Sequence, residues 1–259
     1  MIQPKKSLGQ NFLRDPNTIR KIAASLDAKS GDAVVEIGPG TGAMTSELLA
    51  THPKMVALEV DQRAVAHLNE ELPDLDVRHQ DVLTADWYAV SEELGGSLHV
   101  IGNLPYYITS PILFSLVDAR DVVAEVVVMM QLEVAQRIVA QPRTKAYGIL
   151  SVVFQRYCDV KLLFKVSPHV FFPQPDVTSA VVRLRFKADA PPPSPGEDLF
   201  RQVVRGAFGQ RRKTLRNSLR SAFPSLDDLP EEWAKRRAEE LTPDEFARLS
   251  RYLGDVLER

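Results

Sequence analysis

The fold is decided by the stretch Val100-Ile101-Gly102-Asn103-Leu104-Pro105-Tyr106-Tyr107-Ile108-Thr109-Ser110-Pro111. Its apolar beginning predicts a buried strand. The strand ends near Asn103, because Pro105 cannot donate to a sheet ladder and keeps Leu104 out of the helical region. The closing Ser-Pro pair predicts the start of a helix. Asn103 and the two residues that follow it therefore lie on a stiff loop at the carboxyl end of a strand, where open α/β sheets bind ligands.

This loop has the groups needed to hold a planar base that bears an amine. The Asn103 side-chain oxygen and the Leu104 carbonyl both accept hydrogen bonds from N–H groups, and Tyr106 offers an aromatic face for stacking. A simple turn after a strand explains the same residues equally well. The other parts of the chain have to decide between the two interpretations.

A glycine-rich turn follows an earlier predicted strand. The apolar run that contains Glu36 leads into Gly38-Pro39-Gly40-Thr41-Gly42, and a helix follows near residues 43–50. Glycines let a backbone approach a ligand closely, and the amino end of a helix offers free N–H groups. Such turns also occur in dinucleotide-binding folds, but Pro39 leaves one N–H fewer for a pyrophosphate.

Two more predicted strands end in acidic residues. Glu59 comes about twenty residues after the glycine turn, the spacing at which a carboxylate accepts from the ribose hydroxyls of an adenosine group. Asp81 ends the next strand and can accept from an adenine amine, with the Val82 backbone completing the contact. Each acid alone is more typical of a surface residue or a helix cap. Together with the glycine turn and Asn103 at successive strand ends, they resemble the class I S-adenosylmethionine-dependent methyltransferases.

Four segments narrow this resemblance. The loop at 103–106 is similar to the loop of enzymes that methylate exocyclic amines of nucleobases. Residues 7–13, Ser-Leu-Gly-Gln-Asn-Phe-Leu, and residues 171–182, which contain Phe-Phe-Pro-Gln-Pro-Asp-Val-Thr-Ser, resemble signatures of the rRNA adenine dimethyltransferases. Residues 207–219 resemble the helical-domain signature of the KsgA-type branch. The resemblance covers nearly the whole chain.

The resemblance implies S-adenosyl-L-methionine as the cofactor. The residues that match the family's cofactor-binding positions are Asn11, Leu13, Gly38, Glu59, Asp81 and Asn103. We add Gly40 because of the loop geometry and Val82 because of its edge contact. Asn103 and the Leu104 carbonyl are expected to hold the adenine amine while Tyr106 stacks on one face of the base. Phe171 is expected on the other face, with Phe172 as the alternative, although core packing also explains both phenylalanines.

The implied fold is an α/β, Rossmann-like methyltransferase with a doubly wound, mostly parallel sheet and a small C-terminal all-helical domain. Residues 1–188 are predicted to form the catalytic domain that binds the cofactor. Residues 189–259 are predicted to form a helical RNA-binding domain, and the proline-rich stretch at 189–196 is predicted to be a linker.

Charge is sorted along the chain although the net charge is only −2. Residues 201–220 hold seven basic residues and no acid, whereas acids are concentrated in residues 227–245. The lack of an acid within the basic stretch favours a working basic face over a merely solvated helix. We expect Arg211, Arg212, Lys213 and Arg216 to contact RNA phosphates, which gives affinity and register rather than base readout.

Composition limits where the protein works. Cys158 is the single cysteine, which excludes an internal disulfide and fits a reducing compartment. Neither a membrane-spanning run nor a signal-peptide core is present, and the five scattered histidines show no metal-ligand spacing. We expect a cytoplasmic monomer without a metal or a membrane partner. An organelle is the alternative if a transit peptide has been removed.

The predicted function is methyl transfer to the N6 amines of two adjacent adenines near the 3′ end of small-subunit rRNA, within an immature small ribosomal subunit. Such transfer is an in-line displacement that needs positioning rather than a general base. Two alternatives remain at this point. One is an Erm-type enzyme acting on large-subunit rRNA, and the other is a non-catalytic ribosome-assembly factor that keeps the fold.

Overall fold

The structure is a computed structural model that describes residues 2–191, 196–224, 226 and 229–257. Residues 192–195 of the predicted linker lie outside the described residues, as do the acids Asp227 and Asp228. Among the residues that are described, no helix combines the length and apolar character that crossing a bilayer requires.

Nine strands are present in the described parts of the chain: β1 Phe12–Leu13, β2 Ala33–Ile37, β3 Val56–Glu59, β4 Asp76–His79, β5 Leu98–Asn103, β6 Val123–Gln131, β7 Cys158–Val166, β8 Phe171–Phe172 and β9 Ser179–Phe186. The α-helices there are α1 Pro16–Ala23, α2 Ala43–Leu49, α3 Gln62–Glu71, α4 Trp87–Leu94, α5 Thr109–Asp118, α6 Leu132–Ile138, α7 Ile149–Tyr157, α8 Glu197–Gly209, α9 Leu215–Ala222, α10 Glu231–Ala234 and α11 Pro243–Leu257.

Seven strands form one sheet in the order β4-β3-β2-β5-β6-β9-β7. The pairs from β4 to β6 are parallel, and β9 is antiparallel to β6. The chain runs outward from β2 to β4 and then returns to place β5 on the other side of β2. This reversal between β2 and β5 is the switch point at which doubly wound sheets bind ligands. The predicted mostly parallel, Rossmann-like sheet is confirmed.

The central strands are apolar because helices cover both faces of the sheet. Every residue of β2 is buried, including Glu36, and β6 is buried from Glu125 to Met130. A small separate sheet pairs β1 with β8 in antiparallel register, with Phe12 opposite Phe172 and Leu13 opposite Phe171. This pairing joins two segments that are far apart in the chain.

The chain divides into two compact units, which differ in one respect from the domains predicted from sequence. The first unit comprises residues 1–135 and 161–188, and the second comprises 136–160 and 189–259. The domain boundary predicted between residues 188 and 189 coincides with a boundary between the two units. Residues 136–160 belong to the second unit, because α7 packs on α8 there.

The second unit has an aromatic core that explains this assignment. The ring of Tyr157, at the end of α7, meets the edge of Phe200 with ring centroids 6.1 Å apart. Phe208 lies between Tyr147 at 6.1 Å and Phe246 at 5.8 Å. All described regular structure after residue 196 is helical, as the sequence predicts.

We predict that Gly102→Ala destabilises the protein by about 1–3 kcal/mol, the usual cost of forcing an extra methyl group into a packed core. A Cβ at residue 102 would lie 2.5 Å from the Ile37 carbonyl oxygen on the neighbouring strand. The measurement is the free energy of unfolding in urea. Gly96→Ala is the matched control, because a Cβ there meets no atom within 4 Å. Equal losses in the two variants would contradict the close approach of β2 and β5.

Candidate active site

A cleft in the first unit opens at the carboxyl edge of β2, β3 and β5. All the residues predicted to bind a cofactor line this cleft: Asn11, Leu13, Gly38, Gly40, Glu59, Asp81, Val82 and Asn103. Leu104 and Tyr106 also line it, whereas neither Phe171 nor Phe172 is among the lining residues. The structure thus brings together the side chains that the sequence placed at successive strand ends.

The glycine turn is fastened to the end of β3 through Glu59. One carboxylate oxygen of Glu59 accepts from the Gly40 amide at 3.0 Å, and the other accepts from the Asp61 amide at 2.8 Å. Gly40 has a φ of +58°, and a Cβ there would lie 2.9 Å from the Phe12 ring, so both conformation and space require glycine. Glu59 is buried, which raises the pKa of its carboxyl group, while the backbone N–H donors act in the opposite direction.

Asp61 ties the N-terminal segment to the rim of the cleft. Its buried carboxylate accepts from the Lys5 ammonium at 3.3 Å and from the Gln10 amide at 3.1 Å, and it also pairs with Arg63 at 2.6 Å. These donors, Arg63 first, hold the pKa of the carboxyl well below its usual range. Sequence analysis missed this role, although an aspartate directly before α3 is a recognisable helix-cap signal.

Asn103 is oriented by the same N-terminal segment. Its side-chain N–H donates to the Asn11 carbonyl at 3.0 Å, which fixes the amide plane. Among the described residues no donor reaches its side-chain oxygen, and none reaches the Leu104 carbonyl. The Leu104 amide donates to the Met129 carbonyl at 3.1 Å, so the chain beside this carbonyl is held in place. Two acceptors are thus presented at the end of β5.

Tyr106 and Tyr107 have different surroundings. The Tyr106 hydroxyl lies 2.7 Å from the Ser179 hydroxyl, and burial of the ring raises the pKa of the phenol. Tyr106 is therefore held at its far end, with its ring lining the cleft. Tyr107 also lines the cleft, and with 61% exposure it is the more open of the two. The sequence carries no periodic signal that distinguishes the exposure of these two tyrosines.

The two phenylalanines considered for the second face of the base differ in exposure. Its ring is only 5% exposed and belongs to the main apolar core, whereas Phe172 is 43% exposed. The pairing of β1 with β8 explains the difference, because cross-strand partners share a face of a sheet. Phe171 shares its face with Leu13, which packs on the core, and Phe172 shares the other with Phe12. The Arg14 guanidinium lies 3.9 Å from the centre of the Phe172 ring.

Asp81 is partly engaged within its own turn. One of its carboxylate oxygens accepts from the Leu83 amide at 2.9 Å and caps the short 3-10 turn Val82–Thr84. Val82 is buried, and Asp81 is exposed at the cleft. Asp81 therefore caps this turn and also lines the cleft.

The four basic residues expected to contact RNA differ in their surroundings. Acids distant in sequence supply the charge that the basic stretch lacks: Arg211 pairs with Glu239 at 3.0 Å and also donates to the Thr144 carbonyl. Arg216 lies 3.5 Å from Glu231. Arg212 and Lys213 are exposed, and neither has an ion pair within the described residues. The four cations are therefore not equivalent, and Arg211 has a structural task.

Comparison with known proteins agrees with this geometry. A family profile described as ribosomal RNA adenine dimethylase matches residues 1–255. Ribosomal RNA small subunit methyltransferase A of Salinibacter ruber is 55% identical over 253 residues, which are 97% of this chain and 85% of the relative. The protein of the same name from Prosthecochloris aestuarii is 47% identical over 251 residues, which are 96% of this chain and 93% of the relative.

Two solved structures share the fold over 94% of this chain. A dimethyladenosine transferase from Plasmodium falciparum has a TM-score of 0.80 at 24% identity, with 98% of its own chain covered, and supports the fold alone. The 23S rRNA methyltransferase ErmE has a TM-score of 0.69 at 28% identity and is covered completely, at 100%. The resemblance inferred from the four sequence segments is confirmed, and this chain belongs to the ribosomal RNA adenine dimethylase family.

Proposed function

We propose that this protein transfers methyl groups from S-adenosyl-L-methionine to the N6 amine of adenine in small-subunit rRNA and so forms dimethyladenosine. The observation that carries this proposal is the Asn103 amide, whose N–H is held by the Asn11 carbonyl in a residue that lines the cleft next to Leu104. Two acceptors next to an aromatic ring match a base that carries two N–H hydrogens. Relatives named for the small subunit are 55% and 47% identical, against 28% for ErmE, which favours the small-subunit substrate.

The cleft fits an adenosine-bearing cofactor with a positive charge. The Gly40 backbone leaves no room for a Cβ, and the Glu59 and Asp81 carboxylates can accept from hydroxyl and amine groups. Glu36, a buried acid with one unpartnered oxygen, also lines the cleft. We infer that Asn11, Leu13, Gly38 and Val82 complete this cofactor site. When bound, S-adenosyl-L-methionine supplies an electrophilic methyl group on a sulfonium.

The protein's contribution to catalysis is the positioning of the adenine amine. This nitrogen is a poor nucleophile because its lone pair is delocalised into the ring. Hydrogen bonds from its two hydrogens to the Asn103 oxygen and the Leu104 carbonyl favour a pyramidal nitrogen with an available lone pair. The species first formed by the transfer is a cationic ammonium, which is strongly acidic and loses its proton to solvent, so no side chain has to act as a general base.

Tyr106 is proposed to stack on the extruded base, since its hydroxyl contact with Ser179 fixes the ring at the cleft. For the second face of the base we now propose Phe172 in place of Phe171. Phe172 is the exposed ring of the pair, and the Arg14 guanidinium lies 3.9 Å from its centre.

For the RNA backbone we propose contacts by Arg212 and Lys213, with Arg216 beside them, in residues assigned to a helical RNA-binding domain. Exposed cations without a pairing acid are the groups that exchange counterions for phosphates most readily. We further propose that a single chain acts on two adjacent adenines near the 3′ end of the rRNA in an immature small subunit, within the compartment where ribosomes are assembled.

The central test is mass spectrometry of nucleosides from unmethylated small subunits incubated with protein and cofactor. The wild type should yield dimethyladenosine in small-subunit rRNA. Asn103→Ala should lower the rate by about 100-fold or more, the usual cost of removing one positioned polar group from a reacting centre, while cofactor affinity falls much less. Asn69→Ala, on the exposed side of α3, is the matched control and should keep full activity.

Two results would contradict this proposal. Product only in large-subunit rRNA would assign the protein to the Erm-type alternative. An active Asn103→Ala variant would show that the β5 loop does not hold the amine.

The second prediction separates the two phenylalanines. Phe172→Leu should reduce methyl transfer and Phe172→Tyr should preserve it, because the ring and not its hydrophobicity is needed for stacking. Phe171→Leu should instead lower the free energy of unfolding by about 1 kcal/mol or more through loss of core packing. Rates with labelled cofactor and urea unfolding curves measure the two effects. A folded but inactive Phe171→Leu variant beside an active Phe172→Leu variant would restore Phe171 as the stacking residue.

The third prediction concerns the basic residues. Arg212→Ala with Lys213→Ala should weaken binding to small subunits and reduce the slope of log affinity against log salt by about 1.4, the value for two phosphate contacts. Arg248→Ala with Arg251→Ala removes the same charge from exposed positions of α11 and serves as the control. Equal changes in both double variants would show that only overall charge matters.

A further inference from the structure

Glu36 has a carboxyl group that the proposed mechanism does not use. It lies on β2, between β3 and β5, one residue from the end of the strand, and it is only 1% exposed. One of its oxygens, Oε2, is fully buried and has no hydrogen-bond partner in the described structure. The residue nevertheless lines the cleft, so its carboxyl group lies at the wall of the proposed cofactor site.

Among the residues that the structure describes, the charged group that acts on Glu36 is an acid. Thr45 on α2 is fully buried, and its hydroxyl oxygen is likewise without a hydrogen-bond partner among described residues. Glu59 on β3 is the charged group that acts on Glu36, and its negative charge opposes ionisation. Burial, the largest cause, raises the pKa of Glu36 to about 8, the nearby Thr45 hydroxyl lowers it in part, and Glu59 raises it further.

A buried carboxylate without a partner is unstable unless it takes up a proton or meets a positive charge. In the ligand-free protein, Glu36 can only take up a proton. A ligand that brings a cation to the cleft wall provides a positive charge instead, and this charge takes the place of the proton on Glu36. The cofactor of the proposed reaction has two such groups, an ammonium and a sulfonium, and the sulfonium becomes an uncharged thioether when the methyl group leaves.

We propose that Glu36 is protonated in the empty cleft and releases its proton to the solvent when a cationic group of the cofactor binds, so that cofactor binding is coupled to deprotonation of this residue. This inference rests on the proposed function, because it takes its ligand from that reaction. If the sulfonium is the cation that interacts with Glu36, loss of the methyl group removes this charge. Glu36 is then protonated again, and the demethylated cofactor binds more weakly.

The experiment is titration calorimetry of the full chain at pH 7 in buffers of different ionisation heat, which counts protons released per bound ligand. About 0.9 proton should be released at this pH by a carboxyl with a pKa near 8. The three probes are S-adenosylmethionine, S-adenosylhomocysteine, which keeps only the ammonium, and methylthioadenosine, which has neither cation. Glu36→Gln is the matched variant, since it keeps the shape of the side chain but cannot release a proton.

The difference between wild type and Glu36→Gln isolates Glu36 from the titration of Glu59 and of the ligand's own amine. Release with S-adenosylmethionine alone assigns the sulfonium as the partner, and release with S-adenosylhomocysteine as well assigns the ammonium. The dissociation constant for S-adenosylmethionine should also rise about tenfold from pH 7 to pH 6 in the wild type relative to the variant.

The inference is overturned if wild type and Glu36→Gln release the same number of protons, or if methylthioadenosine releases as many as the charged ligands. Both results can occur with an enzyme that methylates rRNA normally, so they leave the proposed function intact. A complete failure to bind S-adenosylmethionine would instead contradict the proposed function itself.

Stability of the ligand-free protein gives a second, independent measurement. A carboxyl whose pKa is raised on folding binds more protons in the folded state, so stability falls as pH rises from about 4.5 to about 8. Glu36→Gln removes this contribution. The unfolding midpoint of the wild type should therefore drop more between pH 6 and pH 9 than that of the variant, and parallel curves would show that Glu36 is already ionised in the empty cleft.

Discussion

The parallel pairing of β2 with β5 is the contact on which the cleft depends. Ile37 lies opposite Gly102, and the missing side chain at Gly102 allows the two strands to approach closely at the edge where both end. The glycine turn after β2 and the Asn103 loop after β5 consequently emerge side by side. The switch in strand order at this point leaves the space above them uncovered by a crossover helix. A shift of one residue in this register would turn Glu36 to the opposite face of the sheet.

The N-terminal segment turns this open edge into a shaped site. Asp61 holds Lys5 and Gln10, Asn11 accepts from Asn103, and the Phe12 ring lies against Gly40. Each of these contacts joins a residue before β2 to a strand end far along the chain. The segment therefore contributes little to the main sheet but much to the orientation of the Asn103 amide. The cleft is thus assembled from the N-terminal segment and from the ends of strands that follow it in the chain.

The sequence was sufficient to predict the parallel sheet, its strand ends and the residues at the cleft. These features depend on the spacing of apolar residues and on proline and glycine, which determine the conformation of the backbone around them. It was insufficient where a partner comes from a distant segment. The stretch around Arg211 contains no acid, yet Arg211 pairs with Glu239, which lies in the short 3-10 turn Ala238–Glu240. Phe171 and Phe172 are equivalent in composition, and only pairing with β1 decides which of them faces the core. The pKa of Glu36 likewise depends on burial, which a strand pattern predicts, and on Glu59, which it does not.

The polar groups of the cleft have an unequal balance of donors and acceptors. The Asn103 oxygen, the Leu104 carbonyl, the Asp81 carboxylate and Glu36 all offer acceptors, whereas the Asn103 N–H is already used within the protein. Such a wall favours ligands rich in N–H and O–H groups and in positive charge, because any other ligand leaves acceptors desolvated and unpaired. The proposed ligands, an adenine amine and a cationic cofactor, have the groups that such a wall requires. The product of the proposed reaction has one N–H fewer and one positive charge fewer, so it would satisfy these acceptors less well after each methyl transfer.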